Sequence, residues 1–292
     1  MRFFTDPAAV QHQAEEAASV LPPLQVAAER VATTVAQGVH GRRRVGQGET
    51  FWQFRNYQEG DSTNRIDWRQ SAKSRYVFVR ETEWEAAQSV WLWHDTSPSM
   101  DYASERDLPR KGERAALLAV ALAALLMRGG ERFGHLGAGR LPMSGRAAFE
   151  RFVQTVVRGD DLQHSLPSPE MLPRHGQVVL FSDFLSPLPD IAETVLGFAT
   201  QNIQGSLVQV IDPAEETLPF KGRVVFSGME NEGKATIGRV EAVRETYHRK
   251  LEAHCTGVAD IAHRAGWHYQ YHRTDNTPER ALLGLFVDLA AR

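Results

Sequence analysis

Beyond about Ala86 the chain alternates short apolar runs with longer segments whose apolar residues recur every three or four positions. "SVWLWHD", "ERFGHLG", "QVVLFSDF", "SLVQVID", "RVVFSG" and "WHYQYHR" are short, apolar or alternating, and read as strands. "RKGERAALLAVALAALLMRGG", "GRAAFERFVQTVV", "LPDIAETVLGFATQN", "VEAVRETYHRKLEAHCTGVADIAHRAG" and "TPERALLGLFVDLAA" read as helices, and Gly129 and Gly130 after Arg128 supply a C-terminal stop for the first of them. Such alternation predicts an α/β fold, a doubly wound and mostly parallel sheet with helices on both faces. Ligands of such sheets bind beyond the carboxyl ends of the strands, where the strand order reverses.

The stretch before this pattern is different. To about Glu85 it opens on one or two helical segments, "PAAVQHQAEEAASVL" and "PPLQVAAERVATTVAQGV". A basic turn, "HGRRRVGQGE", follows, and then two aromatic, β-rich stretches, "TFWQFRNYQ" and "YVFVRETEW", flank the polar "EGDSTNRIDWRQSAKSR". The expected organisation is a helical and β-rich module over 1–85 and the α/β domain over 86–292.

Composition narrows the classes. The 292 residues are 42% hydrophobic and 24% charged, with a net charge of −3, so nothing global draws the chain to nucleic acid or membrane. Charge is local instead: between Gly41 and Arg80 nine Arg or Lys face four Asp or Glu, a balance of +5. The single cysteine, Cys255, excludes a disulfide framework and suits a reducing compartment. The N-terminal stretch lacks the apolar core of a signal peptide, and the longest apolar run, Ala115 to Met127, is too short to cross a bilayer. That run reads as a helix buried on most sides, and the chain as cytoplasmic.

Chemistry is expected at two strand ends, "HDTSPSM" after "SVWLW" and "SDF" after "QVVLF". If the two strands are neighbours, Asp95, Ser97, Ser99 and Asp183 converge. Two carboxylates and two hydroxyls form an oxygen-only set suited to a hard divalent cation, magnesium or manganese. The bland reading is a turn, since Asp, Ser and Pro are turn residues. Other constellations carry less. His94 beside Asp95 does not make a hydrolytic triad, because adjacent strand residues point to opposite faces and no Gly-x-Ser-x-Gly elbow is present. There is no Walker loop and no dinucleotide fingerprint. Asp61 and Asp67 are expected to pair with Arg55, Arg65 or Arg69, with a docking face for an acidic partner as the alternative, and the run Arg42, Arg43, Arg44 reads as a solvated loop, with phosphate or acidic-surface binding as its alternative.

"DTSPSM" with the later "VVLFSDF" resembles the von Willebrand factor A fold and its metal-ion-dependent adhesion site. The upstream run is more specific. Arg55, Tyr57, Gly60, Asp61, Arg65, Ile66, Asp67, Trp68, Ser71 and Ala72 resemble the signature of the bacterial domain-of-unknown-function family numbered fifty-eight, with Trp52 after Phe51 as the one departure near its start. The resemblance implies a cation held by Asp95, Ser97, Ser99 and Asp183. At the fifth ligand, a threonine in the family pattern, the stretch "RGDDLQHSL" offers Asp160 or Asp161 instead. It also implies a non-enzymatic, metal-dependent protein-interaction module, an adaptor for a MoxR-type AAA+ ATPase and other von Willebrand A proteins in complex assembly or envelope stress. A metal-dependent phosphohydrolase using the same oxygens is the alternative, and a domain whose site stays vacant is a third reading.

Overall fold

The computed structural model describes residues 44–46, 50–57, 66–84, 89–158, 164–173, 176–229 and 233–290. Arg42, Arg43, Asp61, Arg65, Asp160 and Asp161 lie outside them. The chain forms two compact units, one taking in Gln88–Leu289 and the other Glu29–Ala87.

In the smaller unit β1 (Arg44–Gly46), β2 (Thr50–Asn56) and β3 (Phe78–Trp84) form an antiparallel sheet in the order β1-β3-β2. The "IDWRQSA" part of the signature builds a single helical turn, α1 (Trp68–Ser71), against the start of β3. The Asp67 carboxylate caps it, accepting from the Gln70 amide at 2.9 Å. Ser71 Oγ accepts from the Phe78 amide at 2.8 Å and donates to the Asp67 carbonyl at 2.7 Å. These residues thus clasp the turn onto the strand, which gives the signature a local structural job.

The larger unit is the α/β domain. Its strands β4 (Ser89–His94), β5 (Arg132–His135), β6 (Gln177–Ser182), β7 (Gln204–Ile211) and β10 (His268–Arg273) form one sheet in the order β10-β7-β6-β4-β5, and every pairing is parallel. Helices α2 (Lys111–Arg128), α3 (Arg146–Arg158), α4 (Leu188–Ala199), α6 (Val240–Arg264) and α7 (Pro278–Ala290) accompany the strands. Strand residues alternate between two cores, because successive side chains point to opposite faces. Val90, Leu92, Val179, Phe181, Val208 and Val210 pack with α2, α3 and α7. Trp91, Trp93, Val178, Leu180 and Leu207 pack with α4 and α6. Helix α2 is buried along nearly its whole length, as its unbroken run of Ala, Leu and Val requires.

Two details depart from the sequence pattern. "RVVFSG" is not a strand of the main sheet but β8 (Val224–Ser227), paired antiparallel with β9 (Lys234–Ile237) in a separate hairpin. A parallel crossover usually carries a helix long enough to pack along the sheet; the residues between Ile211 and Val224 hold only the five-residue α5 (Pro213–Thr217), and no residue of β8 is buried. The outer edge of β5 is covered by one antiparallel bridge, Phe133 and Met143 exchanging both backbone bonds at 3.0 Å.

The chain runs from β4 outward to β5, then returns to the other side of β4 for β6 and on to β7. The strand order therefore reverses at the β4–β6 seam, whose register sets His94 opposite Phe181.

Candidate functional site

Asp95 and Asp183 are the first residues beyond β4 and β6 at that seam. Asp95 stays on the ladder, its amide donating to the Phe181 carbonyl at 2.8 Å. After it the chain turns sharply. Asp95 Oδ1 accepts from the Ser97 amide at 2.7 Å, and Pro98–Met100 makes a turn of 3-10 helix. So "DTSPSM" is a turn of the Asx kind, and the turn brings both serines back to the strand ends. Ser99 Oγ donates to Asp183 Oδ2 at 2.8 Å, and Ser97 Oγ lies 3.1 Å from Ser99 Oγ. Asp95, Ser97, Ser99 and Asp183 are thus brought into one hydrogen-bonded cluster, and both aspartates and Ser97 are buried.

Three further residues complete the cluster, and sequence reasoning missed them. Ser182, the last residue of β6, donates from Oγ to Asp95 Oδ2 at 2.6 Å and accepts from the Phe184 amide at 2.9 Å. Lys111, the first residue of α2, is fully buried, with Nζ 2.9 Å from Asp183 Oδ2 and 2.6 Å from Glu215 Oε1. Glu215 belongs to α5, where its Oε2 accepts from the Asp212 amide at 3.0 Å in a capping box. A signal for Lys111 was present: it opens a helix, where the positive end of the dipole disfavours a cation. Glu215 was legible as the last position of a cap, "DPAE", but not as a partner for a lysine.

The backbone after Asp183 is held hard. Phe184 adopts φ 47°, a left-handed conformation that costs a side-chain-bearing residue about 1–2 kcal/mol. Its ring is fully buried, and its carbonyl accepts from His254 Nε2 on α6 at 2.6 Å. The Leu185 amide donates to Asp183 Oδ1 at 3.1 Å, and the Asp183 carbonyl accepts from Gln209 Nε2 at 2.7 Å.

Electrostatics differ across the seam. Burial, and next the Asp183 charge, push the Asp95 carboxyl up to about 7, against the pull of its hydrogen bonds from Ser182 and Ser97. Burial alone would drive the Lys111 ammonium down, but the Asp183 and Glu215 carboxylates outweigh it and hold the pKa above the ordinary lysine value. Glu215 is raised, burial exceeding the stabilisation by Lys111. His94 is buried beside His135, ring centroids 5.7 Å apart, and burial with that neighbour lowers its pKa to about 3. It is a neutral core histidine on the α2 and α3 side of the sheet.

The donor set suits a hard cation. It is all oxygen, two carboxylates and two hydroxyls drawn together by hydrogen bonds, the ligand type that magnesium and manganese take. Among the described residues no three His, Cys, Asp or Glu side chains gather into a metal cage, so a cation here would need the serine hydroxyls as well. Asp160 and Asp161, expected at the fifth position, lie outside the described residues. Among the described residues, no helix is long and apolar enough to cross a membrane.

The chain is similar to the uncharacterized protein Mb1516 of Mycobacterium bovis, at 28% identity over 259 residues, 83% of this chain and 80% of that protein. It is equally similar to the uncharacterized protein Rv1480 of Mycobacterium tuberculosis. Among solved structures, the conserved hypothetical protein BatB from Bacteroides thetaiotaomicron matches with 18% identity and a TM-score of 0.42, over 70% of this chain and 98% of that one. A family model described as "Protein of unknown function DUF58" matches residues 53–257, more than two-thirds of the sequence, and this chain belongs to the DUF58 family.

Proposed function

We propose that this chain is a non-enzymatic, metal-dependent protein-interaction module with a von Willebrand A-like domain. What supports the reading is the seam of β4 and β6. Two neighbouring parallel strands end on Asp95 and Asp183 at the reversal of strand order, and the turn between β4 and α2 carries two serine hydroxyls onto the same spot. Asp95, Ser97, Ser99 and Asp183 would hold magnesium or manganese. The ion would supply a Lewis-acidic position for a carboxylate on a partner protein. Asp160 or Asp161 would add a third carboxylate to the set.

The partner favoured by the family resemblance is a MoxR-type AAA+ ATPase, with other von Willebrand A proteins, in complex assembly or envelope stress. A phosphohydrolase needs a nucleophile or base poised at the ion. Both oxygens of Asp95 are engaged by Ser97 and Ser182, and His94 is buried on the core face, which favours binding over turnover. Isothermal titration with manganese, on the wild type and Asp95→Asn, tests the reading. Binding to the wild type that is lost in the variant is expected, together with chelator-sensitive association with a purified MoxR-type ATPase. Absence of manganese binding to the wild type sinks it.

A further inference from the structure

Lys111 stands where a cation site should not tolerate a permanent positive charge. Its ammonium is taken out of water altogether, at the helix end where the backbone dipole repels it. Two carboxylates hold it there, Asp183 at 2.9 Å and Glu215 at 2.6 Å. The Asp183 oxygen it uses, Oδ2, is the one that also accepts from Ser99. A divalent ion drawing on Asp183 and Ser99 must therefore contest that oxygen with Lys111.

Glu215 makes the contest reversible. It holds the ammonium through Oε1, while its Oε2 is anchored to the Asp212 amide, so it stays in position whichever partner Asp183 takes. Asp212 is itself fixed, accepting from the Ser104 amide at 2.9 Å and the Ala214 amide at 2.8 Å. Tyr247 on α6 donates to the Glu215 carbonyl at 2.6 Å and braces the same turn. A surface lysine could swing into solvent to make way for an ion; this one has a second carboxylate to move to.

We propose that Lys111 is a tethered competitor for the cation site and sets its affinity, an arriving divalent ion taking Asp183 while the ammonium is left to Glu215. This rests on the cation reading given above. It makes Lys111 and Glu215 affinity-determining residues for a site neither of them ligates. It also predicts opposite effects of two substitutions in one ion network, which a purely structural ion pair does not.

The experiment is manganese titration, followed by the loss of the free-ion paramagnetic resonance signal, on wild type, Lys111→Met and Glu215→Gln, with folding of each checked by circular dichroism. Lys111→Met is expected to bind manganese at least tenfold more tightly than wild type. Glu215→Gln is expected to bind several-fold more weakly, since the ammonium is then left to Asp183. A wild type that binds no manganese sinks the cation reading and this proposal with it, whether or not Lys111→Met binds. Wild type and Lys111→Met of equal affinity overturn it and leave the cation reading standing. Silence from both overturns the two together. Should Lys111→Met not fold, Glu215→Gln decides: affinity unchanged from wild type overturns the proposal.

Discussion

The ends of β4 and β6 carry the same residue type at equivalent places on adjacent parallel strands, yet the two aspartates are neutralised in unlike ways. Asp95 is met by neutral donors of Ser97 and Ser182, and its carboxyl is pushed up to about 7. Asp183 is met by a buried ammonium. The difference teaches that strand position puts a carboxylate at the seam, but the residue delivered from elsewhere decides its charge. One half of the site answers to protons and the other to Lys111.

The sharpest way to break the contrast is Asp183→Ala. It strips the buried ammonium of one of two partners and leaves Ser99 without its acceptor, so unfolding in urea should show a loss of about 3 kcal/mol. A variant as stable as wild type would mean Asp183 and Asp95 are equivalent after all.

Asp95→Asn should do the reverse. A carboxyl raised to about 7 in the folded state, against about 3.9 unfolded, binds a proton that the unfolded chain has released. Stability attributable to it is therefore present below about pH 4 and is lost as pH rises toward 7. The amide removes that slope. Between pH 5 and 8 the variant should lose less stability than wild type, a difference of about 2 kcal/mol in metal-free buffer. Parallel pH profiles would refute the assignment of that proton to Asp95.

Ser182→Ala should cost about 1–2 kcal/mol, since a buried carboxyl oxygen loses a donor and the strained Phe184 amide an acceptor. The smallest effect is expected of Ser97→Ala, about 1 kcal/mol or less by thermal melting, because the bond from its backbone amide to Asp95 survives the substitution. In manganese binding the same substitution should be far more costly, which separates the turn from the site.

Much of this arrangement could be read along the chain. Apolar runs such as "QVVLF" gave away the strands, and Asp at the end of two of them marked the seam, because parallel strands put their carboxyl ends on one side of the sheet. Ser97 and Ser99 were legible through their spacing in the turn. As partners, Lys111 and Glu215 were not, since Lys111 meets Asp183 across 72 positions and Glu215 across 104. Nor was Ser182, hidden inside a run read for its aspartate. The strand β8 is misplaced by the sequence pattern for a simpler reason: its alternation suits any strand, and its partner is the neighbouring β9 rather than the parallel sheet.

The seam also has a place in time. The bond from Ser182 to Asp95 closes 87 residues of chain, and that from Ser99 to Asp183 closes 84. Contacts between such distant residues form late, after the loop between them has been ordered. On the ribosome, a nascent chain that has emerged through β5 and α3 already displays "DTSPSM" in full, but its aspartate has no neighbour and its lysine no carboxylate to hold. Any ion or partner that recognises the assembled cluster thereby reads out whether β6 and β7 have been laid down, and ignores the unfinished chain.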